Sequence, residues 1–201
     1  MRWLALYLRS RRVPVALIVA GGGELLMWSM WSVFSDSRDV APQVVVLTVL
    51  LLVAALTATL GGPDDALEGT AARPWLPRRA AHVLAAFLVV AALPLATLAT
   101  GARFGPAWLV VLDAAGLIGL TALGAATLGV ARAWFVPLGW TLAATLFPRS
   151  EPILGRILTW QTQPRLSAAG AVTAALFAVG GLIVYAVAGP ARRAPAEAAQ
   201  R

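Results

Sequence analysis

The sequence predicts an all-α polytopic membrane protein with six transmembrane helices, and three observations carry that prediction. Of 201 residues, 60% are hydrophobic and only 12% are charged, whereas about a quarter of the residues of a soluble domain are usually charged. Apolar runs recur at close to the roughly 20 residues that a helix needs to cross a bilayer. No run alternates apolar and polar residues as a membrane-spanning strand does, so helices remain the way to satisfy the backbone inside lipid.

The elements follow in order. Residues 1–12, MRWLALYLRSRR, place Trp3, Tyr7 and Leu8 near one helical face and Arg2, Arg9 and Arg12 towards the other. That pattern predicts an N-terminal helix lying in the inner membrane interface. Residues 13–34 are long for a signal peptide, contain Glu24 and end in MWSMWSVFSD rather than in a small-residue cleavage site. They are read as a retained first span. Residues 41–60, 80–100 and 107–130 are the second, third and fourth spans, and 167–188 the last. Residues 134–147 are short for a full crossing and are read as a short fifth span. An extracellular re-entrant hairpin at 148–166 follows it, punctuated by Pro148, Pro152 and Pro164. Thus 13–188 form one six-span domain, and the polar, Pro/Ala-rich tail 189–201 is expected to be disordered.

Arginine placement orients the spans. All the basic residues are arginine, and the formal net charge is +7. With the N-terminus inside and six crossings, Arg2, Arg9, Arg11, Arg12, Arg73, Arg78, Arg79, Arg132, Arg192, Arg193 and Arg201 fall inside. Arg38, Arg103, Arg149, Arg156 and Arg165 fall outside. Both termini are therefore expected in the cytoplasm. The basic charge reads as topology; no stripe of basic and aromatic residues points to nucleic acid. With no cysteine and a single histidine, His82, thiol chemistry and an imidazole-rich metal site are excluded within one chain. No phosphate-binding loop of the Walker type is present, and no nucleophile–base pair stands out.

Polar chemistry concentrates in the loop 61–79, within GGPDDALEGTAARPWLPRRAAH. Asp64, Asp65 and Glu68 follow Pro63, as acidic residues do at the positive end of a helix dipole, and Asp65 and Glu68 have capping-box spacing. Arg73 suits the far end and Pro74 stops the helix. A short helix over 64–73 beneath the membrane is expected. The loop reads either as a solvated connector with a positive-inside anchor or as a docking helix for a cytoplasmic partner. A three-carboxylate cluster, which anchoring to anionic lipid does not need, favours the second.

This run, DDALEGTAARP-x-x-P-R-R-x-x-H, together with the order of spans, resembles the membrane subunit of a six-span ATP-binding-cassette exporter from a high-GC bacterium. The resemblance implies that the loop is a coupling helix seated on a separate ATPase, with Asp64, Asp65, Glu68 and Arg73 at the contact. It implies a plasma-membrane permease that forms its substrate path as a homodimer. The chain itself would carry no cofactor; ATP and Mg would belong to the partner ATPase.

Within the spans, Glu24 follows Gly21, Gly22 and Gly23 near the middle of the first run. A charged carboxylate there costs about 2.5–3.5 kcal/mol on insertion scales, so it lines a path, carries a proton, or is hydrogen-bonded as the neutral acid. Trp28 and Trp31 share its helical face and fit either a pocket for an aromatic or amphipathic substrate or the interfacial belt. Belt anchoring is also the reading for Trp3, Trp75, Trp108, Trp134, Trp140 and Trp160. Asp113, two turns into the fourth span, either pairs with Arg103, meets Glu24 in a shared cavity, or makes a structural hydrogen bond. His82 is read as an interfacial polar residue. Gly116, Gly119, Gly124, Gly129, Gly170, Gly180 and Gly181 suit tight helix packing or a dimer interface. Two other functions fit the same residues: a non-transporting assembly, sensor or immunity protein, and a small proton-coupled transporter using Glu24.

Overall fold

A computed structural model describes residues 2–61, 75–146, 153–163 and 165–191. Among them every regular element is a helix, and the sole strand-like contact is an isolated bridge between Asp39 and Arg103. Asp64, Asp65, Glu68 and Arg73, with most of the tail, lie outside the described residues. The helices are α1 (Arg2–Ser10), α2 (Val13–Phe34), α3 (Pro42–Thr57), α4 (Leu76–Thr97), α5 (Ala107–Leu128), α6 (Phe135–Leu146), α7 (Leu154–Leu158) and α8 (Ala168–Ala188). Short 3₁₀ turns occupy Ala58–Leu60, Val130–Arg132 and Trp160–Thr162.

Proline and serine set several of the starts. α2, α3 and α4 each carry a proline in their first turn, where the missing N–H had no helical partner anyway. Pro77 is the reason α4 begins at Leu76, four residues before the expected 80. Its other end closes early because Thr97 Oγ1 donates to Pro94 O (2.6 Å) and accepts from Phe104 N (3.0 Å). Ser167 caps α8 by accepting from Gly170 N at 3.0 Å, satisfying one orphan donor. Between α1 and α2 the chain turns at Arg12, whose φ of 55° is left-handed.

Among the described residues, five helices are long and apolar enough to cross a membrane: α2, α3 extended through Leu60, α4, α5 and α8. This is the architecture of a polytopic helical membrane protein. α6 has 12 residues, a rise of about 18 Å against a hydrocarbon core of about 30 Å. α5 is the hub, with 72% of its apolar window buried against 17% for α2. Leu109, Val110, Leu117 and Leu120 of α5 belong to one core with Val49, Leu52 and Val53 of α3 and Val83 and Val90 of α4.

The most extensive contact joins α5 to α8, and glycine makes it possible. A Cβ on Gly119 would overlap the Phe177 carbonyl, and one on Gly181 would overlap the Gly119 carbonyl. Small residues let backbones meet where dispersion, rather than water exclusion, holds helices together. The two helices run parallel: Gly119 meets Phe177 and Gly181 at mid-length, and beyond α8 Ala191 N donates to Ala125 O near the end of α5 (2.8 Å). The chain between them must therefore return along the bundle.

Part of that return is buried. The Trp160 ring lies on Gly116 of α5, its Cβ lies 3.4 Å from a Cβ placed on Gly170, and its exposure is 0%. Gln161, also fully buried, donates from Nε2 to Thr141 Oγ1 of α6 at 3.2 Å. Trp160 is thus a packing wedge and not a member of an interfacial belt. The glycines, too, serve the fold. Gly116, Gly119, Gly124, Gly170 and Gly181 all face close neighbours within the chain, while Gly180 faces open space. The first five therefore serve packing within the chain.

Candidate functional site

Two arrangements concentrate polar chemistry. The first ties the two feet of the loop 61–79 to four elements. Leu60 O, at the end of the 3₁₀ turn after α3, accepts from Arg11 Nη1 (3.2 Å) and from the Tyr185 hydroxyl of α8. Thr59 Oγ1 lies 3.0 Å from His82 Nε2 of α4. The His82 ring meets Tyr7 of α1 edge-on at 6.1 Å, and the Arg11 guanidinium sits 5.1 Å from the centre of that Tyr7 ring. At the second foot, the Arg78 guanidinium lies 5.3 Å from the Trp75 ring centre, a cation–π distance. The Arg79 guanidinium lies against Gly189, just past α8, whose φ of 72° suits glycine.

Each partner has a reason to be there. The last carbonyls of a helix lack intrahelical donors, and in a buried setting they need a side chain. Arg11 and Tyr185 are 3% and 0% exposed, so a guanidinium and a phenol supply those donors from two other elements. Sequence reasoning placed His82 at the interface but found neither Tyr185 nor Arg11. Their partner is a backbone carbonyl more than 40 residues distant in sequence, and no spacing rule reveals that.

The second arrangement is a notch between α2 and α4. A cavity of about 300 Å³ is lined by Gly21, Glu24 and Trp28 on one side and Ala96, Thr97 and Thr100 on the other. Trp28 Nε1 donates to Thr100 Oγ1 at 2.9 Å, tying α2 to the segment just past α4. Both threonine hydroxyls donate to main-chain carbonyls of their own segment. Glu24 is 6% exposed, and neither carboxylate oxygen has a hydrogen-bond partner among the described residues.

Trp31 does not join this notch; its Nε1 donates to Ser37 O at 2.8 Å in the connection to α3. Asp113 is fully buried on α5, and neither oxygen has a hydrogen-bond partner among the described residues. It pairs with no arginine there and does not line the cavity that holds Glu24. Arg103 instead uses its backbone, donating N–H to Arg38 O (2.7 Å) and accepting from Val40 N (3.0 Å). The two span carboxylates are therefore separate features. Among the described residues no cluster of histidine and carboxylates has metal-binding composition.

No protein-family model, curated protein or solved structure matches the chain.

Proposed function

We propose that the chain is the permease subunit of an ATP-binding-cassette exporter, forming its path as a homodimer and driven by a separate ATPase through the loop between its second and third spans. The observation that carries this reading is the knot around that loop. One foot is held by Arg11 and Tyr185, and the other lies against Gly189. A push on the loop reaches α1, α3, α4 and α8 together, which is what a coupling element requires. The acidic residues Asp64, Asp65 and Glu68 supply the contact chemistry, and Arg73 the far end.

In this reading the chain crosses six times. The parallel run of α5 and α8 supports it, because α6 and the segment through Trp160 must make the return, with Leu154–Thr162 as the re-entrant part. The knot end carries Arg9, Arg11, Arg12, Arg78, Arg79 and Arg132, and the opposite end Arg38, Arg103, Arg156 and Arg165. The positive-inside rule then puts the knot in the cytoplasm. A reporter fused after Arg201 is expected on the cytoplasmic face, together with the N-terminus; an external signal overturns the six-span topology.

The functional test is copurification from the native membrane. The full chain is expected to bring down an ATPase with a Walker motif. Reversing Asp64, Asp65 and Glu68 to arginine is expected to reduce that recovery by roughly tenfold or more, as like-charge placement does at a charged contact. Recovery unchanged by the reversal removes the proposal. Glu24, which has no hydrogen-bond partner among the described residues, favours one second reading, a proton-coupled transporter, which requires transport without ATP and its loss in Glu24→Gln.

A further inference from the structure

We propose that the α2–α4 notch is a binding site for a lipophilic organic cation, with Glu24 as the counter-charge and Trp28 as the aromatic wall. Three features of the notch converge on that chemistry. The carboxylate is more than nine-tenths buried, lines the cavity and has no hydrogen-bond partner among the described residues. No arginine or histidine is among the residues that line the cavity, so a positive charge that pairs with Glu24 there comes with a ligand. A buried carboxylate is stable only when neutralised or paired.

The rest of the lining selects against small hydrated ions. The hydroxyls of Thr97 and Thr100 are committed to Pro94 O and Thr97 O, and Thr100 also accepts from Trp28. They offer no ring of free oxygens to replace a hydration shell, which hard cations need. Trp28, Leu25, Ala96 and Gly21 give an apolar lining with one indole, and an indole attracts an organic cation through its ring face. The cavity's volume of about 300 Å³ is at the lower end of small-molecule sites. Glu24 lies midway along α2 and Thr100 beyond the end of α4, so the notch runs from mid-membrane towards the end opposite the knot. That such a cation is the exported substrate rests on the permease reading; that it binds does not.

The probe is tetraphenylphosphonium, with tetraphenylborate as an anion of the same shape, titrated against the purified full chain without any ATPase. Saturable binding of the cation and none of the anion at the same site is expected. Glu24→Gln, which keeps shape and removes the charge, is expected to weaken cation binding by roughly tenfold or more. Gly21→Leu gives an independent arm: Gly21 lines the notch and a Cβ there meets nothing within 4 Å, so a larger side chain takes up space in the notch. It is expected to abolish binding while the chain elutes and melts as the parent does. Equal binding of both ions, or cation binding that survives both substitutions, overturns the site. Binding without ATPase recovery keeps the site and removes the permease; recovery without binding does the reverse.

Discussion

Gly119→Val is expected to destabilise the protein by about 3 kcal/mol, the upper range for overpacking a close contact. The reason is geometric. The space a Cβ would need at Gly119 is held by the Phe177 carbonyl and by the Ala178 Cα, 2.6 Å away. Both are backbone atoms of α8, so no rotamer change relieves the overlap. The helices must separate along the longest seam in the bundle, and in lipid the lost dispersion has no hydrophobic replacement. Gly180→Ala is the control. It changes the residue next to Gly181 on the same helix, meets nothing within 4 Å, and is expected to gain a few tenths to about 1 kcal/mol of helix propensity. Unfolding of purified protein by heat or denaturing detergent reads both. Equal midpoints for Gly119→Val and the parent would show that α5 and α8 do not meet in this way.

That contrast marks where the sequence was legible. Apolar run length located five helices within a few residues, because hydrocarbon thickness acts on every span alike. The first run, 13–34, coincides with α2. The glycines were legible as packing residues but not as individuals. Gly180 and Gly181 are adjacent, yet only the second faces Gly119, and a helix must be docked before its inward face is known. Glu24 stood out because a carboxylate in an apolar run is costly wherever it lands. Trp28 shared its face by spacing, and the structure places both in one notch. Thr97 and Thr100 come from another helix and carried no signal in sequence. Asp113 had three open readings in the sequence: a structural hydrogen bond, a cavity shared with Glu24, or a pair with Arg103, which lies near the same end of α5. Burial on the hub helix separates them, since an arginine there would have to follow the carboxylate into the core. The knot was invisible for a related reason. Its acceptor, Leu60 O, is backbone, and backbone acceptors look alike in a sequence.

Trp160→Ala is expected to cost about 3–5 kcal/mol, the range for emptying a large aromatic site in a packed core. Sequence reading put Trp160 at a membrane boundary, since a proline-punctuated polar segment surrounds it. The structure places it at 0% exposure, with its ring on Gly116 and its backbone beside Gly170. Two glycines on parallel helices leave a slot, and the indole fills it. The neighbouring Gln161 reaches Thr141 of α6 through its Nε2, so the two residues together join α5, α6 and α8. Trp160→Phe separates packing from polarity. The indole Nε1 has no hydrogen-bond partner among the described residues, so phenylalanine forfeits only volume and is expected to cost about 1–2 kcal/mol. A comparable loss from the opposite direction is expected for Gly116→Val, because its Cβ would collide with the same ring. In Trp160→Ala the space opens and Gly116→Val should recover part of the loss, a non-additivity that contact residues show and distant ones do not. Strict additivity of the pair would mean that the ring and the glycine are not in contact, and would remove the wedge.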